Sequence, residues 1–392
     1  MESIVIVSAA RTAIGAFNGC FAECTAPTLA SHVIKGLLEK SGLTAQQVDE
    51  VILGCVLPAG IGQAPARQAA LQAGMPYEVV CTTVNKVCGS GMKAIMLARN
   101  ILLAHEQDIV LAGGMENMSL APYLLKKARF GYRLGADTLY DHMMLDGLED
   151  AYTAGKAMGY FAELCAEQFR ISRKEQDEYT LSSLTRSQQA LQQNAFKNEI
   201  IPVSTTVGKQ VIEVTRDQGI ENAKPEKIPL LKPVFVENGT ITAANASGIA
   251  DGAAALILAR ETTAQQMRLP IMAKVIGQYT HAQQPEEFTL APIAAIEGLL
   301  DRIGWSSDDV DLFEINEAFA VVVLITMRQL GLDHDKVNVN GGSCILGHPI
   351  GASGARIVVT LLHALHHRGL KRGVACLCIG GGEATAIAIE VC

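Results

Sequence analysis

Short apolar runs alternate along this chain with segments of helical period, and several of these units are closed by Gly. The opening Met1-Glu-Ser-Ile-Val-Ile-Val-Ser-Ala-Ala10 reads as a core strand, and residues 50–53, 109–112, 312–315 and 373–379 predict further strands. Two helical stretches, 88–105 and 351–367, are apolar nearly all round. Met92, Ile95, Met96, Ile101 and Leu102 mark the first, and Ile357, Val358, Leu361, Leu362 and Leu365 the second. Helices without a polar face are buried between layers.

The pattern repeats. Gly36-Leu-Leu-Glu-Lys-Ser-Gly42-Leu-Thr-Ala-Gln-Gln-Val48-Asp49 matches Gly298-Leu-Leu-Asp-Arg-Ile-Gly304-Trp-Ser-Ser-Asp-Asp-Val310-Asp311 at an offset of 262 residues. Each copy reads as a helix stopped by Gly, a turn and a strand. In the same order, Cys88-Gly-Ser-Gly91 and Gly351-Ala-Ser-Gly354 each open an apolar helix followed by a strand and a Gly cluster. This predicts two similar α/β halves layered around buried helices. Residues 118–245 carry most of the excess length, with a predicted helix over 174–194, and read as an inserted loop domain able to act as a lid. The division expected is an N-terminal core domain at 1–117 plus about 246–268, a loop domain at 118–245 and a C-terminal core domain at 269–392.

Composition narrows the function classes. Forty acidic against 32 basic residues, a formal charge of −8, argue against a nucleic-acid footprint. The apolar runs are too short to cross a bilayer, and the first residues lack a basic leader, so a cytoplasmic enzyme is the default expectation. Ten scattered Cys read as reduced thiols, and neither Cys20/Cys24 nor Cys376/Cys378 has a second half at metal-ligand spacing. No metal is expected.

Four motifs sit at strand ends or Gly-rich turns, where α/β proteins place ligands. In Asn85-Lys-Val-Cys88-Gly-Ser-Gly91 a thiol stands at a helix mouth, where N–H groups and the helix dipole can favour a thiolate; a packed structural Cys is the alternative. Gly341-Gly-Ser-Cys-Ile-Leu-Gly347-His348-Pro349-Ile-Gly351-Ala-Ser-Gly354 holds His348 on an irregular path, and a His can activate a Cys by taking its proton. In Cys376-Leu-Cys378-Ile-Gly-Gly-Gly382 the thiol nearer the turn, Cys378, is the better chemical candidate. Asn316, in Asn316-Glu-Ala-Phe-Ala320, corresponds through the repeat to Gly54, so its amide can serve an oxyanion directly or through water. Capping a helix that starts near Glu317 is its competing or simultaneous role. Gly113-Gly-Met-Glu116 predicts a tight turn.

These motifs, with Gly113-Gly-Met-Glu-Asn-Met-Ser119 and Asn245-Ala-Ser-Gly248, carry a likeness over nearly the whole chain: the sequence resembles the thiolases, and among them the biosynthetic acetoacetyl-CoA type. The resemblance implies a duplicated α/β core with a loop domain, assembled as a homodimer or homotetramer. It implies no tightly bound cofactor, with acetyl-CoA and coenzyme A as substrate and product. By the same resemblance Cys88 is the acyl-accepting nucleophile, His348 its base and Cys378 the acid/base for the α-carbon. Asn316 with His348 would hold one oxyanion hole, and the N–H groups of Cys88 and Gly380 the other. Met158, Ala246 and Ser247 would line the pocket near the pantetheine arm, with Arg216 a contact to coenzyme A. The chain departs from the family pattern at Ala157, Leu164 and Ala250 and in a shortened stretch over 217–230, which leaves acyl-chain preference open. A degradative 3-ketoacyl-CoA thiolase and a non-enzymatic acyl-CoA-binding protein are the alternatives.

Overall fold

The computed structural model describes residues 2–392. Strands β1 (Ile4–Thr12), β2 (Glu50–Gly54), β3 (Val80–Val84), β4 (Ile109–Asn117) and β5 (Ala250–Arg260) form one half of the main sheet in the order β3-β2-β4-β5-β1. Strands β6 (Ala273–Ala282), β7 (Leu312–Ile315), β8 (Arg372–Ile379) and β9 (Glu383–Val391) continue it as β6-β9-β8-β7. The halves join where β1 runs antiparallel to β6 through Val5–Lys274 and Ile6–Ala273. Pairing senses match where the halves correspond: β2 is parallel to β4 as β7 is to β8, and β4–β5 and β5–β1 are antiparallel as β8–β9 and β9–β6 are. The first half adds β3, parallel to β2, at its edge. Even an irregularity recurs, since the register slips between Ile6 and Ser8 on β1 and between Val275 and Gly277 on β6. A bulge in the same place in both halves belongs to the architecture, because the local sequences differ.

The principal helices are α1 (Ala26–Ser41), α2 (Pro65–Gln72), α3 (Ser90–Leu103), α4 (Met158–Gln168), α5 (Arg173–Gln192), α6 (Ala291–Ile303), α7 (Ala320–Leu330) and α8 (Ile350–Arg368). α1 starts where Thr25 accepts from the Thr28 N–H, with Pro27 in its first turn. The two Gly stops of the repeat are real: Gly42 and Gly304 both end their helices at φ 71°.

Strand alternation sets the layers. Val5 and Val7 face α1 and α2, while Ile4 and Ile6 face α3 and α8. In the second half Ala375 and Leu377 turn to the same two central helices, and Val374 and Cys376 to α6. The order is therefore helix, half-sheet, the α3–α8 pair, half-sheet, helix, which is the duplicated core expected from the repeat. α3 and α8 meet at glycines: a Cβ on Gly91 would lie 2.8 Å from the Ala355 nitrogen, and one on Gly354 2.5 Å from the Met92 nitrogen.

One local expectation fails. Gly113 and Gly114 do not turn the chain; β4 runs straight through them to Asn117. They are glycines because a Cβ on Gly113 would sit 2.1 Å from the Ala254 oxygen of β5, and one on Gly114 2.0 Å from the Gly351 oxygen of α8.

The excursion between β4 and β5 carries α4, α5 and a hairpin of Val203–Val207 with Gln210–Val214. It is pinned to the core by buried charge. The Arg11 guanidinium donates to Glu199 (Nε–Oε1 2.6 Å) and to both oxygens of Asp217 (2.6 and 2.9 Å), and all three side chains are inaccessible to solvent. No helix among the described residues is long and apolar enough to cross a membrane.

Candidate active site

Cys88 stands on the short loop from β3 to α3. The preceding Val87 has φ 47°, a left-handed conformation that a β-branched residue adopts only when its surroundings enforce it. Three contacts do so: Asn85 Oδ1 accepts from the Val87 N–H (2.9 Å), Ser90 Oγ accepts from the Lys86 N–H (2.8 Å), and the Ser90 hydroxyl donates to the Val87 carbonyl (2.7 Å). Across the gap lies the turn after β8. A Cβ on Gly89 would strike Ile379 at 2.4 Å, so the two loops touch. Lys86 and Glu383 pair across them.

The half-buried Cys88 is faced by its own N–H and that of Gly380. Burial nevertheless dominates and pushes the Cys88 thiol up to about 11, so it rests protonated, contrary to the thiolate that the helix mouth alone suggests. Cys376 and Cys378 share a face of β8. Cys376 packs at Pro292 of α6, whereas Cys378, nearer the turn, packs with Phe319 and lies within electrostatic reach of Cys88. Burial, and after it the neighbouring Cys88, hold Cys378 well above the ordinary thiol range.

His348 precedes α8 and is buried. Its Nδ1 is 2.5 Å from Ser353 Oγ, which in turn lies 2.9 Å from the Pro349 carbonyl. A carbonyl only accepts, so the hydroxyl donates there and takes the Nδ1 proton as acceptor. That leaves Nε2 as the bare, basic nitrogen, and it has no protein partner. Burial, and secondarily the charge of Arg356, bring His348 down to about 3, so it is neutral. Asn316 is also buried; its Oδ1 accepts from Ser343 (2.6 Å), while its Nδ2 has no protein partner. It does not cap a helix, because α7 begins at Ala320 with Phe319 as its capping residue.

His348 opens onto a cavity of about 340 Å3 whose walls include Met158, Ala246, Ser247, Phe235 and Phe319. The fold thus gathers three of the four proposed coenzyme A contacts. Arg216 is not among them: it lines a separate cleft with Lys40 and Lys197. The reason is its neighbour, for Arg11 draws Asp217 into the core and leaves Arg216 turned outward, 63% exposed and 3.8 Å from Glu221.

Sequence reasoning missed Glu116. This wholly buried carboxylate on β4 accepts from the N–H groups of Val56 (2.9 Å), Leu57 (3.2 Å) and Gly351 (2.9 Å), tying the first half to the start of α8 just beyond His348. Burial outweighs those donors and pushes it up to about 7. An acid inside an apolar run was the available signal. Among the described residues no group of three or more His, Cys, Asp or Glu could hold a metal ion.

Known proteins match this arrangement from end to end. Residues 4–262 match the thiolase N-terminal domain and residues 269–391 the thiolase C-terminal domain. The chain belongs to the thiolase family. This thiolase is 47% identical over 389 residues to an acetyl-CoA acetyltransferase of Schizosaccharomyces pombe, covering 99% of this chain and 98% of that one. Among solved structures, the acetyl-CoA acetyltransferase of Bacillus anthracis superposes with a TM-score of 0.97 at 39% identity, over 100% of this chain and 99% of the other. The Acat5 thiolase of Ascaris suum, solved in complex with coenzyme A, superposes with a TM-score of 0.94 at 40% identity and full coverage of both chains.

Proposed function

We propose that this thiolase is an acetyl-CoA C-acetyltransferase, joining two acetyl-CoA into acetoacetyl-CoA and coenzyme A and running the thiolysis in reverse. The observation that carries this reading is the pair of N–H groups, from Cys88 and Gly380, facing a thiol that adjoins a second thiol and packs against the small core cluster of Ile350, two residues beyond a neutral His348 with a bare Nε2. One thiol would serve covalent capture. Two thiols in different roles suit a carbon–carbon bond.

In the first half, Cys88 passes its proton to His348 Nε2 as its sulfur attacks the acetyl carbonyl. A free thiolate–imidazolium pair is disfavoured for a high thiol and a low imidazole, so transfer accompanies attack. The two N–H groups hold the oxyanion. Coenzyme A leaves as the thiol, taking the proton back from His348.

In the second half Cys378, once its own proton has passed to solvent, takes an α-proton from a new acetyl-CoA as a thiolate. Acetylation of Cys88 eases this, because the possible negative charge there is one cause of the raised Cys378. A water that accepts from Asn316 Nδ2 and donates one hydrogen to the bare His348 Nε2 gives its other hydrogen to the enolate oxygen. The enolate carbon attacks acetyl-Cys88, and the sulfur freed as thiolate takes the proton held by Cys378. The excursion at 118–245 acts as the lid domain, contributing Met158 and Phe235 to the cavity.

The chain also works as a homodimer or homotetramer in this reading. Tyr123, Phe130, Leu134 and Leu139 on that excursion are 58–100% exposed, and Val80 on the edge strand β3 is 51% exposed, surfaces suited to burial against another copy. Its ten unpaired cysteines favour a cytoplasmic setting. Intact-protein mass after acetyl-CoA exposure should show one acetyl group, mapped to Cys88, and thiolysis should be fastest with acetoacetyl-CoA. A folded chain that never gains the acetyl group would leave only a binding role, and a preference for long 3-ketoacyl chains would move the reading to the degradative type.

A further inference from the structure

The amide of Asn316 can face either way, and only one orientation offers Nδ2 to an oxyanion. What decides it lies behind the site. Arg356, on the central helix α8, is 1% exposed, and its Nη1 donates to Glu314 Oε1 at 2.9 Å. Its Nη2 donates to Ser343 Oγ at 2.9 Å and approaches Asn316 Oδ1 at 3.4 Å. Ser343 Oγ lies 2.6 Å from the same Oδ1.

A guanidinium has donors and no acceptor, so every contact it makes runs outward from it. Ser343 therefore receives from Arg356 and is left to donate its own hydrogen to Asn316. Both neighbours of Oδ1 are donors. An amide turned the other way would point NH2 at a cation and make Ser343, itself buried, accept from both neighbours while its own hydrogen lost the Asn316 acceptor. The chain of donors forces Oδ1 inward and aims Nδ2, which has no protein partner, toward the site.

We propose that Arg356 and Ser343 form a buried donor relay that fixes the orientation of the Asn316 amide, making Ser343 a positioning residue for the enolate half of the reaction. The inference rests on the reading of Asn316 given under Proposed function. Neither residue touches substrate. The relay crosses from α8 to the residue after β7, so both flanking arms of the second half support one amide. Acyl capture on Cys88 uses the N–H groups of Cys88 and Gly380 and does not call on Asn316. The two half-reactions should therefore separate.

Ser343→Ala removes the hydroxyl while leaving the Arg356–Glu314 pair, and Ser343→Cys keeps most of the volume with a weaker donor. Exchange of labelled coenzyme A into acetyl-CoA reads the first half alone; acetoacetyl-CoA thiolysis needs both. Complete loss of an oxyanion donor costs roughly 10²–10³-fold, and an amide free to flip still presents Nδ2 part of the time, so thiolysis kcat should fall about tenfold. KM for acetoacetyl-CoA and the exchange rate should stay close to the parent values, with Ser343→Cys intermediate. Equal losses in both assays, in either folded variant, would mean general damage and overturn the relay; so would unchanged thiolysis. A parent enzyme that exchanges nothing would overturn the proposed function itself, a result distinct from either of these.

Discussion

Replacing Gly114 with Ala tests whether the approach of β4 to α8 sets the position of His348. An ideal Cβ there falls 2.0 Å from the Gly351 oxygen and 3.1 Å from Ala352 Cα, whereas ordinary contact begins at 3.4 Å. The difference between 3.4 and 2.0 Å means that the first turn of α8 must retreat by about 1.4 Å if β4 stays in register. β4 is held on both sides by β2 and β5, so the helix is the part that yields. His348 is joined to that turn through Pro349, and the same retreat strains the bond from the Gly351 N–H to Glu116. A misplacement of about 1 Å can lower a rate by roughly 10²-fold, so kcat/KM for acetoacetyl-CoA thiolysis should drop by about that factor. Overpacking of this kind destabilises by about 1–3 kcal/mol, which leaves the variant folded with a lower melting midpoint. Gly304→Ala is the control: φ is 71° but nothing lies within 4 Å of the added carbon. It should lose about 1–2 kcal/mol from the left-handed backbone and keep its kcat/KM. A Gly114→Ala enzyme retaining activity within about threefold of the parent, or a control that loses as much, would refute the geometric coupling.

Three further outcomes follow from burial and charge. Cys88 alkylation in the free enzyme, followed by peptide mapping with iodoacetamide, should rise about tenfold per pH unit toward about 11, because only the thiolate reacts; a plateau near neutrality would contradict the buried, protonated thiol. His348 resists protonation down to about 3 in the fold but takes a proton near 6.5 when unfolded, so its lowered value gives stability that is full above about 6.5 and declines by about 1.4 kcal/mol per unit as pH falls toward 3. Urea unfolding of His348→Gln at several acid pH values should show a shallower decline, and an identical slope would rule this linkage out. Arg11→Met strips the cation from buried Glu199 and Asp217 and should destabilise the fold by about 3–5 kcal/mol in thermal or denaturant unfolding; a loss under about 1 kcal/mol would show that the carboxylates find other relief.

The duplicated scaffold was legible because its signals are local: Gly42 and Gly304 stop helices through their own backbone, and an all-apolar helix can only be buried. The positions of Cys88, His348 and Cys378 at loops and strand ends were legible for the same reason. Gly113 and Gly114 misled, since a glycine needed for a close approach by another strand looks in sequence like one needed for a turn. The competing role for Asn316, capping a helix that starts near Glu317, does not hold, because Glu317 is held by Tyr179, Ser183 and Cys344, which delays α7 to Ala320. That Arg216 would stand apart from the cavity of Met158, Ala246 and Ser247 was not legible, because its neighbour's ion pair is a contact spanning about half the chain. Glu116, Ser343 and Arg356 were invisible as partners, although a charge inside an apolar strand or helix marks a group whose counterpart is elsewhere.

The bulges at Ile6/Ser8 and Val275/Gly277 preserve a near two-fold likeness between halves whose chemical fittings no longer agree. One half supplies Cys88; the other supplies His348, Cys378 and Asn316. The reaction itself demands that inequality, because of two identical acetyl groups one must become electrophile and the other nucleophile. A symmetric pair of halves would offer both substrates the same reception. By letting each copy keep the frame and change its strand ends, the duplication turns two like molecules into unlike partners, and neither half cut free from the other would hold a working site.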